Sequence, residues 1–372
     1  MKKLLLTVLI AMACVAQVNA QQFVTTEVTQ RNVVIEEFTG RNCGYCPDGH
    51  RIANGLMAAN PGRLWAVNIH AGGYAPSSYP NFLTPDGTTI HNYFNISGYP
   101  CGAVNRSSTT PLDRGQWTGA ANNILNQDSY VNLGGQVILN PVTRTALITV
   151  EAYYTGDSPA DENQLTVMML QDSIYGSQSG GSSNPEQWTG TEYIHMHILR
   201  DVVNSESAWG ETISPTTAGT LITKSYMYEI PEVIGNPNGV DVIIEHLHFL
   251  AFINESNIYM QTACQLETVI AYDNVFPVMQ GFDQIHSIAC DYDGTFDLTF
   301  MNGGLDNLTS CVFEVEYAGQ TYTYNWEGDI ATGDVTTVQF PITLVDGTNS
   351  VVVNVVEGNG QAIEPSNFSA VA

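Results

Sequence analysis

Lysine is nearly missing from this chain. Across 372 residues, Lys and Arg number 11 against 37 Asp and Glu, a formal net charge of −26, and charged residues make up only 13%. Lys2 and Lys3 sit at the extreme N-terminus, and Lys224 is the one lysine beyond them. Schiff-base, pyridoxal and Walker-type phosphate chemistry each require a placed lysine, which argues against all three. A surface this acidic repels phosphate backbones, so no nucleic-acid partner is expected. Long apolar runs are also missing, since no stretch reaches the roughly 18 residues of a spanning helix. A second CxxC, internal repeats and low-complexity tracts are absent as well. What is present is ample core material: 44% of residues are apolar. At about 150 residues per domain, the length suggests two or three domains.

The N-terminus reads as an export signal. Lys2-Lys3 precede the apolar run Leu4 to Ala13, which is too short to cross a bilayer. Val18-Asn19-Ala20 places small residues where a signal peptidase cuts, so residues 1–20 are expected to be removed. Cys14 offers a lipoprotein alternative, for which Ala11-Met12-Ala13 is a poor recognition sequence. Cleavage leaves Cys43, Cys46, Cys101, Cys264, Cys290 and Cys311 for an oxidising compartment. Their connectivity is open, apart from the close pair Cys43/Cys46.

Residues 21–129 mix strand and helix patterns. Val33 to Phe38 reads as a buried strand, Pro47 to Asn60 as a helix, and Leu64 to Ile69 as a second strand. Asp86 caps a short helix through Phe94, and Leu112 to Gln127 reads as a polar helix. This order predicts a parallel-type sheet covered by helices. From Tyr130 the period becomes two. Seven runs between Gln136 and Ile270, among them Tyr193–Val203, predict an antiparallel β-sandwich over 130–271. Gly176 to Pro185 reads as the clearest loop. Five further runs between Thr295 and Val356 predict an immunoglobulin-like β-sandwich over 272–372. Residues 130–372 are expected to fold without the front end.

The chemistry concentrates in Cys43-Gly44-Tyr45-Cys46, just after a strand and at the start of a helix. Cysteines three apart on a helix share one face and meet disulfide geometry. The helix N-terminus favours a thiolate at the first, which becomes the nucleophile. A static structural disulfide, or a zinc site completed by His50, are the alternative readings. Cys101 is either a third redox thiol, a buried small hydrophobe or half of a bridge; Cys290 and Cys311 fit one staple, and Cys264 fits a core. His195-Met196-His197 and His246-Leu247-His248 each place two imidazoles on one strand face, where neighbouring strands would offer four to Zn or Cu. An exposed or half-buried strand face is the preferred reading of both pairs, so no metal and no cofactor is expected. Asp291-Tyr292-Asp293-Gly294 is either a turn or the start of a calcium loop.

The segment from Ile35 to Pro47, with Glu37 six residues before Cys43, resembles thioredoxins over roughly the first domain. So does Tyr93-Phe94-Asn95-Ile96-Ser97-Gly98-Tyr99-Pro100. The resemblance implies a thioredoxin-like domain over 21–129, with Cys43 attacking, Cys46 resolving and Glu37 exchanging a proton with Cys46. It also implies a cis Pro100 facing the CxxC, and a Tyr99 backbone that pairs with substrate. Asn42 departs from the usual tryptophan, and residues 71–95 replace a shorter connection. The Glu-Glu-Phe-Thr-Gly-x-x-Cys-Gly-x-Cys-Pro phrase and the Gly98–Arg106 segment are similar to the 28-kilodalton outer-membrane-protein-related family of Gram-negative bacteria. That resemblance implies an exported protein of the periplasm or outer membrane surface, peripherally associated. The expected fold class is thus α/β plus all-β, a thioredoxin-like domain followed by two antiparallel β-sandwiches. The expected function is thiol–disulfide exchange on protein or peptide partners; a non-catalytic surface binding or structural protein is the rival.

Overall fold

The computed structural model describes residues 23–270, 275, 277–287, 293–304, 306–317, 319–343 and 350–371. The export signal, Cys14, Cys290 and Asp291-Tyr292 lie outside the described residues. The chain begins with strand β1 (Val33–Thr39), helix α1 (Cys46–Ala59), β2 (Leu64–His70), α2 (Pro85–Tyr93), β3 (Cys101–Val104), β4 (Leu112–Asp113) and α3 (Trp117–Leu125). β1 pairs in parallel with β2 and antiparallel with β3, and β3 pairs antiparallel with β4. Val33, Ile35 and Leu64 on one face pack under α1 and α3, against Ala53, Leu56, Trp117 and Ala121. Leu112-Asp113 is strand rather than helix, because Asp113 caps the following turn with its side chain and stops the helix from reaching further back.

The β half supplies β5 (Val131–Asn140), β6 (Thr145–Tyr154), β7 (Asn163–Gln171), β8 (Ile174–Gly176), β9 (Tyr193–His195) and β10 (Ile198–Val202). There follow β11 (Glu211–Ile213), β12 (Leu221–Glu229), β13 (Val233–Ile234), β14 (Val240–Asp241), β15 (Leu247–Asn254), β16 (Met260–Gln265) and β17 (Glu267–Ile270). These strands do not form a separate sandwich. One nine-stranded sheet runs β16-β15-β7-β10-β2-β1-β3-β4, with β11 added beside β7. The expected border at residue 129/130 therefore passes through a single sheet. Its seam is the parallel pairing of β10 with β2, at Ile198 and Asn68.

Both faces of that sheet are covered. Val137, Leu139, Ile148 and Val150 of a second sheet, ordered β12-β6-β5-β17, pack against Val167, Met169, Phe249 and Ala251. This is sheet-on-sheet packing, as expected, except that β17 runs parallel to β5. On the opposite face, Val34, Phe38, Val67, Ile90 and Phe94 of the front end share one core with Met168, Leu170, Leu199 and Phe252. Period-two alternation revealed each strand's buried face, but it carries no information on which strand lies beside which.

The C-terminal strands are β18 (Pro277–Ser287), β19 (Asp293–Asn302), β20 (Leu308–Tyr317), β21 (Gln320–Ile330), β22 (Val335–Thr343), β23 (Ser350–Gly358) and β24 (Gln361–Val371). They form two antiparallel sheets, β18-β19-β22 and β21-β20-β23-β24, around Phe296, Leu298, Phe300, Phe313, Val353 and Phe340. Cys311 is a buried free thiol in that core; the staple expected with Cys290 falls on a residue outside the described ones. A small cluster of Ile138, Leu147 and Met301 joins this sandwich to β5 and β6. Among the described residues no helix is long and apolar enough to cross a membrane.

The shared core makes a fragment test decisive. Residues 130–372, expressed alone, would expose Met168, Leu170, Leu199 and Phe252. We expect cooperative unfolding only of the C-terminal sandwich, with the remainder binding a hydrophobic dye; a fully native-like fragment in chemical denaturation would show that the seam is dispensable.

Candidate functional site

The loop after β1 places the cysteines at the end of a strand buried along its whole length. Cys43 and Cys46 form a disulfide, with Cα atoms 5.5 Å apart. Cys46 opens α1 and Pro47 follows in the first turn, where a missing N–H costs nothing. Asp48, in the same turn, accepts from Arg51 at 2.7 Å and Arg114 at 2.8 Å. Those hydrogen bonds hold its carboxyl below the usual range. The Arg114 guanidinium also stands 5.8 Å from the centroid of the Tyr45 ring. Tyr45 is exposed, whereas Cys43 retains only 3% of its surface and Cys46 none.

Alternation along β1 sends its two adjacent carboxylates to opposite faces. Glu36 meets Arg106 in a bidentate pair, Nε to Oε2 at 2.7 Å and Nη2 to Oε1 at 2.6 Å, both side chains fully buried. Glu37 faces the α1 side with Val33 and Ile35. It is fully buried, and neither of its oxygens has a hydrogen-bond partner. Its nearest basic atom is His50 Nε2 at 3.7 Å. Burial pushes the Glu37 carboxyl well above the usual range; Arg114 opposes this and Asp48 adds to it. Gly49 of α1 lies directly against it: a Cβ there would collide with the Glu37 carboxyl and stand 2.9 Å from the Pro100 ring. The first turn of α1, Glu37 and Pro100 thus meet at Gly49, on the helical face three residues from Cys46.

The Tyr99–Pro100 peptide is cis. The Tyr99 ring turns away to Tyr74, 5.3 Å between centroids, and its hydroxyl bonds to His91 Nε2. Cys101 opens β3 opposite Phe38, one step from the Glu37–Gly102 pairing. It is a free thiol, pushed up to about 12 by burial and by nearby Glu37 and Asp113. Tyr99, Pro100, Cys101, Asp113 and Arg114 line an open cleft of about 460 Å³. Cys264 is a free thiol in β16, and burial pushes it to about 12 as well.

Side chains not singled out in the sequence complete the surroundings. The Gly176–Pro185 segment is no idle loop, for it packs onto the CxxC loop. Gln178 Nε2 donates to the Cys43 carbonyl at 2.9 Å, and the Ser179 N–H donates to the Arg41 carbonyl at 2.8 Å. Gly180 adopts φ +69° against Gly44, where a Cβ would meet the Gly44 backbone. His50 is buried between Thr39 Oγ1 at 3.0 Å and Tyr193 Oη at 2.8 Å. Desolvation lowers it to about 3, so it stays neutral. The sequence suggests His50 only as a zinc ligand, and Gln178 and Tyr193 carry no local signal; their importance comes from the seam.

The histidine pairs do not present themselves as expected. His195 ends β9 and packs on Phe82, 4.8 Å between ring centroids, and on His70 at 5.6 Å. His197 adopts φ +54° between β9 and β10, so the alternation breaks and the two imidazoles part. His246 belongs to a 3-10 turn rather than to β15, which holds His248.

Residues 87–258 match the family described as outer membrane protein Omp28. This stretch crosses residue 129/130, in keeping with the continuous sheet, and begins after the CxxC. It supports an exported protein at the outer membrane or cell surface. Among solved structures, HBP35 of Porphyromonas gingivalis is similar over 92% of this chain and 98% of that one, at 18% identity and a TM-score of 0.50, a likeness of fold. A domain of the outer membrane lipoprotein Omp28 from Porphyromonas gingivalis aligns with 38% of this chain and 98% of its own, at 15% identity and a TM-score of 0.24. No curated protein matches the chain.

The state of Glu37 has a sign that stability measurements read. Its carboxyl is raised above the ordinary 4.5 in the folded protein, so the folded state holds a proton that the unfolded chain releases. Stability is then full below that ordinary value and falls as pH rises toward the folded pKa. Each tenfold difference in proton affinity between the two states is worth about 1.4 kcal/mol. Glu37→Gln has no such loss. In urea unfolding the variant should match the wild type near pH 4 and exceed it by at least about 1 kcal/mol at pH 7. An equal difference at both pH values would show that Glu37 ionises freely.

Proposed function

We propose that residues 33–125 are a thioredoxin-like unit in which Cys43 and Cys46 perform thiol–disulfide exchange on exported proteins or peptides. The β1-α1-β2-α2-β3-β4-α3 order, with its parallel then antiparallel pairings, supports the unit. The observation that carries the chemistry is Glu37, a buried carboxyl without a hydrogen-bond partner beneath the turn that holds Cys46. Nothing in the packing requires a carboxyl there, and burying one without partners costs stability. A protonatable group beside the second cysteine has a use in exchange, because that thiol must lose its proton to resolve an intermediate.

In the reduced protein, the Cys43 thiolate attacks one sulfur of a substrate disulfide. An S–S bond forms to Cys43, and the other substrate sulfur leaves as a thiolate. In molecules whose Glu37 is ionised, Cys46 gives its proton to the Glu37 carboxylate and attacks Cys43 Sγ; the raised proton affinity of Glu37 makes it a stronger base in that form. The Cys43–Cys46 bond forms, the second substrate sulfur leaves, and the proton from Glu37 returns to it. Two electrons pass from the protein to the substrate, and the reverse sequence oxidises a dithiol. The cleft along Tyr99 and Pro100, which Arg114 also lines, would hold the substrate backbone. Cys101, held as a protonated thiol, is a weak competitor for Cys43 at neutral pH.

One observation favours the rival reading of a structural disulfide: both cysteines are buried and Gln178 clamps their loop. The two readings separate by trapping. Cys46→Ala combined with Cys101→Ala should accumulate dithiothreitol-sensitive mixed disulfides with exported proteins on non-reducing gels, and Cys43→Ala should accumulate few. The wild-type disulfide should equilibrate at a potential above about −300 mV. Absence of trapped species together with a lower potential would establish a staple.

A further inference from the structure

The end of β7 draws three polar side chains from three segments to one point. Gln171 of β7 faces Ile198 of β10 on one side and Leu247 of β15 on the other. One step further on, Asp172 lies beside His197 across the first seam and beside the His246–His248 stretch across the second. The Asp172 N–H donates to the His246 carbonyl at 3.0 Å. Asp172 Oδ1 accepts from the His197 backbone N–H at 2.6 Å. His197 Nδ1 is 3.3 Å from Oδ1, and His248 Nδ1 is 3.5 Å from Oδ2. The two rings stand 5.6 Å apart at 80°. One ligand atom from each of the three residues lies within 4.8 Å of the others.

Both carboxylate–imidazole separations exceed a good hydrogen bond. One imidazole nitrogen faces each carboxylate oxygen, and the spread of up to 4.8 Å closes to tetrahedral edges of roughly 3.3–3.6 Å by small side-chain rotations when bonds of about 2.0–2.2 Å form. The main-chain amide on Asp172 fixes the carboxylate, as hydrogen bonds to metal-ligating groups commonly do. The three side chains are partly open, at 20%, 15% and 26% exposure for His197, His248 and Asp172. His248 also lines an open cavity of about 650 Å³ with Trp65, Cys264 and Gln265. Of the three side chains, His248 is the one that reaches that cavity.

We propose that Asp172, His197 and His248 form a site for a divalent first-row transition ion, of which Zn²⁺ suits two imidazoles and a carboxylate. The partial exposure of all three side chains leaves a fourth position to water. The His197 carbonyl accepts from the Asn68 N–H of β2 at 2.7 Å, so a bound ion would tie β7 and β15 to the β2–β10 seam. The site is separate from the CxxC and does not depend on its chemistry.

The experiment uses the full mature chain, without a histidine tag and with Cys43–Cys46 oxidised so that those thiols bind no metal. Zn²⁺ titrated by calorimetry should bind at one equivalent, and Co²⁺ should give the visible spectrum of a low-coordinate nitrogen–oxygen site. Zn²⁺ should also raise the thermal midpoint. His197→Ala and His248→Ala should each weaken Zn²⁺ at least about tenfold. Asp172→Asn, which keeps the shape, should weaken it too, and His246→Ala should bind as the wild type does. If one alanine variant unfolds, Asp172→Asn and the midpoint shift still read the site. Lack of saturable Zn²⁺ binding by the wild type below about 100 μM (a free energy of about −5.5 kcal/mol), or unchanged binding by the Asp172→Asn and histidine variants, would overturn the assignment.

Discussion

A strand buried on both faces that carries two consecutive carboxylates is the constraint from which the rest of the site follows. Alternation along β1 leaves no choice but to send Glu36 and Glu37 to opposite sides of the sheet. On one side the charge is neutralised by Arg106, whose guanidinium also lies 5.0 Å from the Phe252 ring centroid of β15 and 5.1 Å from that of Trp209. The pair therefore anchors the front end to the β half at the same time as it settles Glu36. A buried pair of this kind is destabilising by roughly 3–5 kcal/mol if one member is removed, so it holds the register of β1 firmly. On the other side Glu37 receives no such partner, and the same register that satisfies Glu36 delivers an unpaired carboxyl beneath the first turn of α1.

The second constraint is the seam between β2 and β10. By joining the strands of residues 33–113 to those of the β half, it brings residues far along the chain onto the cysteine loop. Gln178 and Ser179 bond to that loop, and Tyr193 bonds to His50 behind it. Whatever the disulfide does, it does inside a frame that both halves of the sheet build. The C-terminal sandwich keeps its own core and contributes no side chain to this frame among the described residues.

Much of this is readable from the chain alone. The short buried-strand pattern at Val33–Phe38, the Gly/Pro punctuation, and a CxxC between a strand and a helix point to β1, α1, β2 and the cysteine pair. The resemblance to thioredoxins singles out Glu37, six residues before Cys43, and the structure puts it on the helix-covered face. The buried strands of the β half are legible too, because apolar alternation is a local property. The exception at His195–His197 shows the limit: the break in alternation is a left-handed residue at a strand boundary, and histidine gives little notice of it.

What the sequence determined by itself was therefore local: which segments are strands, which faces are apolar, where the two cysteines and their carboxyl lie along the chain. What only the tertiary structure decided was adjacency. Whether β10 lies beside β2 or beside another strand of its own half changes no local periodicity, because each strand shows the same buried face in either arrangement. Yet that choice merges two expected domains into one sheet, sets Gln178 on the cysteine loop, and brings Asp172, His197 and His248 together at the end of β7. Hydrogen bonds between strands are made by backbone groups common to every residue, so side-chain sequence alone leaves the partner of a strand undecided until the whole core is packed.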